Sequence, residues 1–234
     1  MSSPATTEPS REAVPVPKAV GVIVAAVVAA LVMISLVITL TTDRLPTGPA
    51  LDPPTPSAPT LGYSATTRKA TVGPVSVTMP NEPYLCPRSP RSVGSLLTNA
   101  LVCDASVHPN YRGTSNWSAT AGFGLPSATT TRSTSTDTAQ AVFDGIRTSF
   151  FAGQKTTVTK RAVDTVTLDG HQVAVVSGEV HYRVTGLPSS YDRVLVIALP
   201  LDDGSYAVYF SSRPNDTPKS TLKVLDASIG TIGY

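Results

Sequence analysis

Residues 19–40 read AVGVIVAAVVAALVMISLVITL, an unbroken apolar run without a charge, in which Ser35 and Thr39 are the only polar side chains. No other feature constrains the chain as strongly. At the rise of an α-helix the run extends roughly 33 Å, enough to cross a bilayer core. Hydrocarbon offers the backbone no hydrogen-bond partner, so a spanning segment has to be helical. The sequence therefore predicts one transmembrane helix over residues 19–41. The competing reading is a cleaved signal peptide. Its apolar core is about 7–15 residues long and ends at a small-residue cleavage site. The following stretch, TTDRLPTGPALD, has no such site, and no cysteine follows closely enough for lipid attachment.

Orientation follows from flanking charge. Arg11 and Lys18 precede the run, whereas Arg44 alone stands close behind it. The bias toward positive charge on the cytoplasmic side places residues 1–18 inside the cell as a disordered tail. The rest of the chain is then extracytoplasmic, in a single-pass protein of the cell membrane. Gly21, Ala25 and Ala29 form a row of small residues able to pack a second helix; an Ala-rich composition explains the same row.

Pro46, Pro49, Pro53, Pro54, Pro56 and Pro59 crowd the next segment. Proline fixes φ and lacks an N–H, so residues 42–70 are expected to form an extended linker. What remains, residues 71–234, is the size of one ordinary domain. Its basic residues are scattered, and the chain carries a net charge of only +2. Nucleic acid needs a basic stripe, so it is not an expected partner. Cys86 and Cys103 both follow the membrane run. On the oxidising side of a membrane two cysteines suggest a disulfide; two separate buried thiols are the alternative.

The domain reads as alternation broken by turns. Val75, Val77 and Met79 give a strand that stops at Pro80. Val93, Leu96 and Leu97 have helical spacing and suggest a short helix over 92–99. Leu101, Cys103 and Ala105 alternate, as do Trp117, Ala119, Ala121 and Phe123. Residues 125–135 are rich in Ser and Thr and read as loop. Ala139, Val142, Phe143, Ile146 and Phe150 share one face of a predicted helix over 137–152, with Asp137 as its cap and Gly153 as its stop. Val163, Val166 and Leu168 lead into Asp169-Gly170, a hairpin signal. A strand follows from Val173 to Val184, with Gly178 at a bulge. The apolar run Arg193–Leu199 suits a central strand, and Asp202-Asp203-Gly204 turns it back into Tyr206–Ser211. A last helix is capped by Thr217, has Pro218 in its first turn and buries Leu222, Leu225, Ile229 and Ile232. The expectation is an α+β domain, an antiparallel sheet with helices packed on its faces.

The stretch from Phe143 to Ile232 resembles the C-terminal part of the PsbP-like α/β/α sandwich of mycobacterial lipoproteins of the LpqN type. The helix ending in Phe150-Phe151, the L-D-G-H turn at Leu168–His171 and the strands around Val175–Tyr182 and Leu195–Ala198 carry the likeness. So do the D-G-S-Y-A-V segment at Asp203–Val208 and the terminal amphipathic helix. The resemblance implies an actinobacterial envelope protein of accessory or ligand-binding kind, without catalytic residues to carry over. The cysteine pair in the 82–116 region and the missing lipidated cysteine depart from that pattern.

The residues themselves nominate no reaction centre and no cofactor. Gly113-Thr-Ser115 comes nearest to a nucleophile elbow, but Trp117 stands where its second glycine belongs. His108, His171 and His181 do not stand at ligand spacing from the cysteines, and two cysteines alone do not make a zinc site. Asp202 and Asp203 in a tight turn supply too few oxygens for calcium. No Gly-rich phosphate loop opens a helix. No pair of acids is nominated for glycoside hydrolysis. Trp117, Tyr182, Tyr191, Tyr206 and Tyr209 either line a groove for a peptide or glycan or pack the core. The expectation is a membrane-anchored, non-enzymatic envelope protein that binds a ligand or another envelope or membrane protein. A wall-facing hydrolase with an unrecognised site is the alternative.

Overall fold

The computed structural model describes residues 58–111 and 115–234. The apolar run over 19–41 and most of the linker lie outside the described residues. So does the centre of the Gly113-Thr-Ser115 motif. Among the described residues no helix is long and apolar enough to cross a membrane.

Ten strands and two helices make up the described chain. Strands β1 (Leu61–Ser64), β2 (Lys69–Val72) and β3 (Val75–Thr78) form a three-stranded antiparallel meander. The larger sheet is built from β4 (Arg91–Val93), β5 (Leu97–Tyr111), β6 (Ser115–Pro126), β7 (Thr157–Leu168), β8 (His171–His181), β9 (Tyr191–Pro200) and β10 (Tyr206–Pro214). Their order is β4-β5-β6-β10-β9-β8-β7, antiparallel throughout. Helix α1 covers Ser135–Phe150 and α2 covers Lys219–Ile229.

The expected α/β/α sandwich is not what forms. Helix α1 packs on β8 and β9 on one face of the large sheet, through Ala139, Val142, Phe143 and Ile146 against Val176, Val194 and Val196. The layer on the other face is the β1–β3 meander. Val72, Val75 and Val77 pack there with Phe123, Leu199 and Tyr209. Helix α2 contributes Leu225 to that core but is strapped to β3, where Ser228 Oγ donates to the Thr78 carbonyl at 2.6 Å and Thr78 N donates to Thr231 Oγ1 at 2.8 Å. Strand therefore outweighs helix, and the helices are not two outer layers. Strand β1 and the first two residues of β2 fall within residues 42–70, the stretch expected to be linker. Their short runs, LGYS and KATV, hold few apolar residues, and only pairing with β3 buries Ala70 and Val72.

The structure departs from the expected elements in four other places. No helix covers 92–99; Gly94, at φ +51°, turns the chain so that Val93 pairs with Leu97. Helix α1 starts two residues early because Thr134 is its cap. Thr134 Oγ1 accepts from Asp137 N at 3.0 Å and donates to the Asp137 carboxylate at 2.7 Å. Helix α2 has no side-chain cap; Thr217 instead donates to the Pro214 carbonyl at 2.7 Å. The bulge in the β7–β8 hairpin lies on β7 between Thr159 and Ala162, where Lys160 has φ +50°. Gly178 serves a different need, because a Cβ there would stand 2.9 Å from the Phe143 ring.

The cysteines pair. Cys86 and Cys103 form a disulfide with their Cα atoms 4.1 Å apart. It joins the loop before β4 to β5, and Leu85 and Asp104 bond backbone to backbone beside it.

Candidate functional site

Alternation along β5, β6, β9 and β10 sends every second residue to the α1 face. Among them Asp104, Thr120, Ser212 and Asp192 are polar and stand side by side across four neighbouring strands. Asp104 pairs with Thr120, Thr120 with Ser212, and Ser212 with Val194, two residues from Asp192. Hydrogen bonds link the ends of this row. Thr120 Oγ1 donates to Asp104 Oδ1 at 2.7 Å, and Ser212 Oγ donates to Asp192 Oδ2 at 2.8 Å. Tyr182 donates its hydroxyl to Asp192 Oδ1 at 2.7 Å and accepts from Trp117 Nε1 at 3.1 Å.

A polar row on a sheet face is costly to cover with apolar atoms. Helix α1 does not cover it. It lies over β8 and β9 and ends at Phe150, leaving the β5, β6 and β10 end of the face open. The opening is a cavity of about 870 Å3. Its floor is the polar row, and its wall is aromatic: Trp117, Tyr111, Phe150 and Phe151, with Arg91 on the rim. The wall continues inward to Tyr182, whose ring centroid lies 4.9 Å from that of Trp117 and 5.4 Å from that of Phe151. Concave, aromatic and furnished with a few convergent polar groups, the cavity has the makeup of a small-molecule site.

The two carboxyls in the cavity have different surroundings. Asp104 stands at the exposed end, whereas Asp192 is buried. Burial pushes the Asp192 carboxyl up to about 6; hydrogen bonds from Tyr182, Ser212 and Trp117 hold the rise back. Burial also raises the Tyr182 phenol, and the Asp192 charge adds to that rise.

The histidines do other work. His108 Nε2 lies 2.9 Å from both Ser189 Oγ and Asp216 Oδ2, and Ser189 Oγ also bonds Asp216. A hydrolase triad needs the acid on one ring nitrogen and the serine on the other. Here both partners share one nitrogen, so the three side chains form a clasp between strand β5 and the loops before β9 and α2. His171 stacks on Tyr234 with centroids 3.8 Å apart, and His181 Nε2 bonds Thr159 Oγ1 at 2.8 Å. Asp203 accepts from Ser205 N at 3.0 Å and Ser205 Oγ at 2.6 Å, which hold its carboxyl below the usual range and close the β9–β10 turn.

Of the five aromatics singled out in the sequence, Trp117 lines the cavity and Tyr182 stands behind it. Tyr209 is core on the opposite face, Tyr206 bonds the Ser133 carbonyl at 3.1 Å, and Tyr191 packs on His181. Asp104 and Asp192 carry no motif that marks them in the sequence. Their signal was an acid placed directly beside apolar strand residues, as in L-V-C-D-A and Y-D-R-V-L-V. No family model matches this chain, and no curated protein matches it either.

Proposed function

We propose that this chain is a binding module of the cell envelope, held at the membrane by residues 19–41 with its folded domain on the outer side. The aromatic cavity is its ligand site, and a saccharide-class molecule is the ligand that suits it best. The observation that carries this reading is the opposition of the aromatic wall to the row Asp104–Thr120–Ser212–Asp192. A sugar presents a C–H face that packs on an aromatic ring and a rim of hydroxyls that both donate and accept. The floor offers carboxylate acceptors and hydroxyls of both kinds. In the envelope the ligand comes free or displayed by another envelope or membrane protein.

Trp117 is the chain's only tryptophan, so its fluorescence reports on this cavity alone. Titration with neutral disaccharides and N-acetylated amino-sugar oligomers should change its emission saturably, and Asp104→Asn should weaken the response. Flat titrations with every sugar would sink the saccharide reading. Crosslinking in the native membrane would then decide whether a protein partner occupies the domain instead.

A second reading draws on the two carboxyls. Burial raises the Asp192 carboxyl, and a second carboxyl, Asp104, shares its cavity; a pair of acids in one cleft is the arrangement used in glycoside hydrolysis. Turnover of a glycoside substrate that disappears in both Asp104→Asn and Asp192→Asn would establish it.

A further inference from the structure

A second concavity, of about 250 Å3, lies on the opposite face of the same end of the large sheet. Strand alternation creates it together with the first. Asp192 and Ser212 face the aromatic cavity, so their neighbours Arg193, Ser211 and Arg213 face the other way. Two consecutive rungs form the second site. One is Arg213–Arg193–Glu179 and the next is Ser211–Leu195–Ser177. Lys160 reaches in from the β7 bulge, and Ile229, the last residue of α2, closes one side.

The charges on these rungs do not balance. Lys160, Arg193 and Arg213 line the concavity with one carboxylate, Glu179. Glu179 Oε1 lies 3.1 Å from Lys160 Nζ and 3.6 Å from Arg193 Nε, and its Oε2 lies 3.5 Å from His181 Nε2. Burial opposes its ionisation, yet Lys160 foremost and then Arg193 hold its carboxyl below the usual range. Arg213 reaches outward to Asp226 at 3.1 Å. Arg193 and Arg213 are nevertheless direct cross-strand partners, an arrangement that is destabilising unless an anion stands between them. Glu179 engages Arg193 through Nε, which leaves the terminal N–H groups of the guanidinium for another acceptor.

Ser211 is the second, independent sign. It is 2 % exposed, it lines the concavity, and its hydroxyl bonds to no other group among the described residues. A hydroxyl lining the concavity is able to donate to a ligand there. Ser177, on the same rung, presents a further hydroxyl.

We propose that this concavity binds a tetrahedral oxyanion of the phosphate class, clamped between Arg193 and Arg213 with the Ser211 hydroxyl donating from the floor. Planar guanidinium groups match phosphate oxygens in pairs. The site is independent of the saccharide reading, because the sheet separates the two cavities. A phosphate group reaches it either as free phosphate or as a phospholipid headgroup.

The test uses the full chain in a neutral detergent, titrated calorimetrically with inorganic phosphate and separately with soluble dihexanoyl phosphatidylglycerol. At least one should bind saturably, and Arg193→Gln and Ser211→Ala should each weaken it about tenfold, the range of one lost hydrogen bond to a charged group. Unchanged Trp117 emission from the opposite face shows that each variant is folded. Tighter binding of the phosphodiester assigns a lipid headgroup; equal or tighter binding of inorganic phosphate assigns the free ion. No saturable binding of either probe, or binding that both variants retain in full, overturns the proposal.

Discussion

Asp192 and Arg193 are neighbours in β9 and face opposite sides of the large sheet. Asp192 lies in the floor of the aromatic cavity, held by Tyr182 and Ser212; Arg193 lines the charged concavity behind it. The sheet is thus polar on both faces at this place. The two layers that cover the sheet, α1 on one side and the β1–β3 meander on the other, both leave this end open.

Asp192 makes stability depend on pH. Its carboxyl sits at about 6 in the folded chain against 3.8 unperturbed. Between those values the folded state holds a proton that the unfolded state has released. Stability from this group is therefore complete below about pH 4 and is lost as pH rises through 6, at a cost on the order of 2–3 kcal/mol. Asp192→Asn removes the titration while keeping a carbonyl acceptor. Urea unfolding of both chains at pH 4 and pH 7 should show the variant gaining on the parent at the higher pH. Parallel profiles would refute the assignment.

The disulfide closes a loop of about 18 residues, for which chain entropy predicts about 3 kcal/mol. Cys86→Ser with Cys103→Ser should lower the unfolding free energy by roughly that amount. Reduction of the parent chain should match it. The loss should also loosen the neighbouring Leu85–Asp104 bridge, seen as faster amide exchange at both residues.

Gly122 faces the ring of Phe210, and a Cβ placed there would stand 2.2 Å from it. Gly122→Ala should destabilise by about 1–3 kcal/mol through overpacking. Phe210→Leu, which clears the space, should restore part of the loss in the double variant. A melting temperature for Gly122→Ala equal to the parent's would contradict the close approach.

Tyr84 buries its phenol oxygen without a hydrogen-bond partner among the described residues, in the core under the meander. An unpaired buried hydroxyl costs about 1–3 kcal/mol. Tyr84→Phe should therefore leave the domain as stable or more stable, against the usual direction of core substitutions. A clear fall in stability would reveal a partner for the hydroxyl.

Most of the large sheet was legible in the residues. Leu101, Cys103 and Ala105 lie on one face of β5, Asp169-Gly170 and Asp202-Asp203-Gly204 are hairpin turns, and Ala139 to Ile146 is the buried face of α1. These signals are local, set by a period of two or of 3.6 residues and by the backbone freedom of glycine. Of the three-stranded meander only β3 was legible, from the alternation of Val75, Val77 and Met79. Strands β1 and β2 are four residues each, with no pattern strong enough to outweigh the prolines before them. The binding surfaces were hidden for another reason. Thr120 reads as the polar half of the alternation through Trp117, Ala119, Ala121 and Phe123, and alternation alone does not say what lies above that half.

The sequence by itself determined the strand and helix pattern from Leu101 onward, the turns between them, and the presence of two cysteines able to pair. Only the tertiary structure decided that a small sheet would be the layer opposite α1, and that Asp104, Thr120, Asp192 and Ser212 would meet in one row. The physical reason is the reach of the interactions. Periodicity and turn chemistry act between residues a few positions apart. The row joins four strands whose order, β5-β6-β10-β9, follows from long-range pairing and from what each face of the sheet must bury.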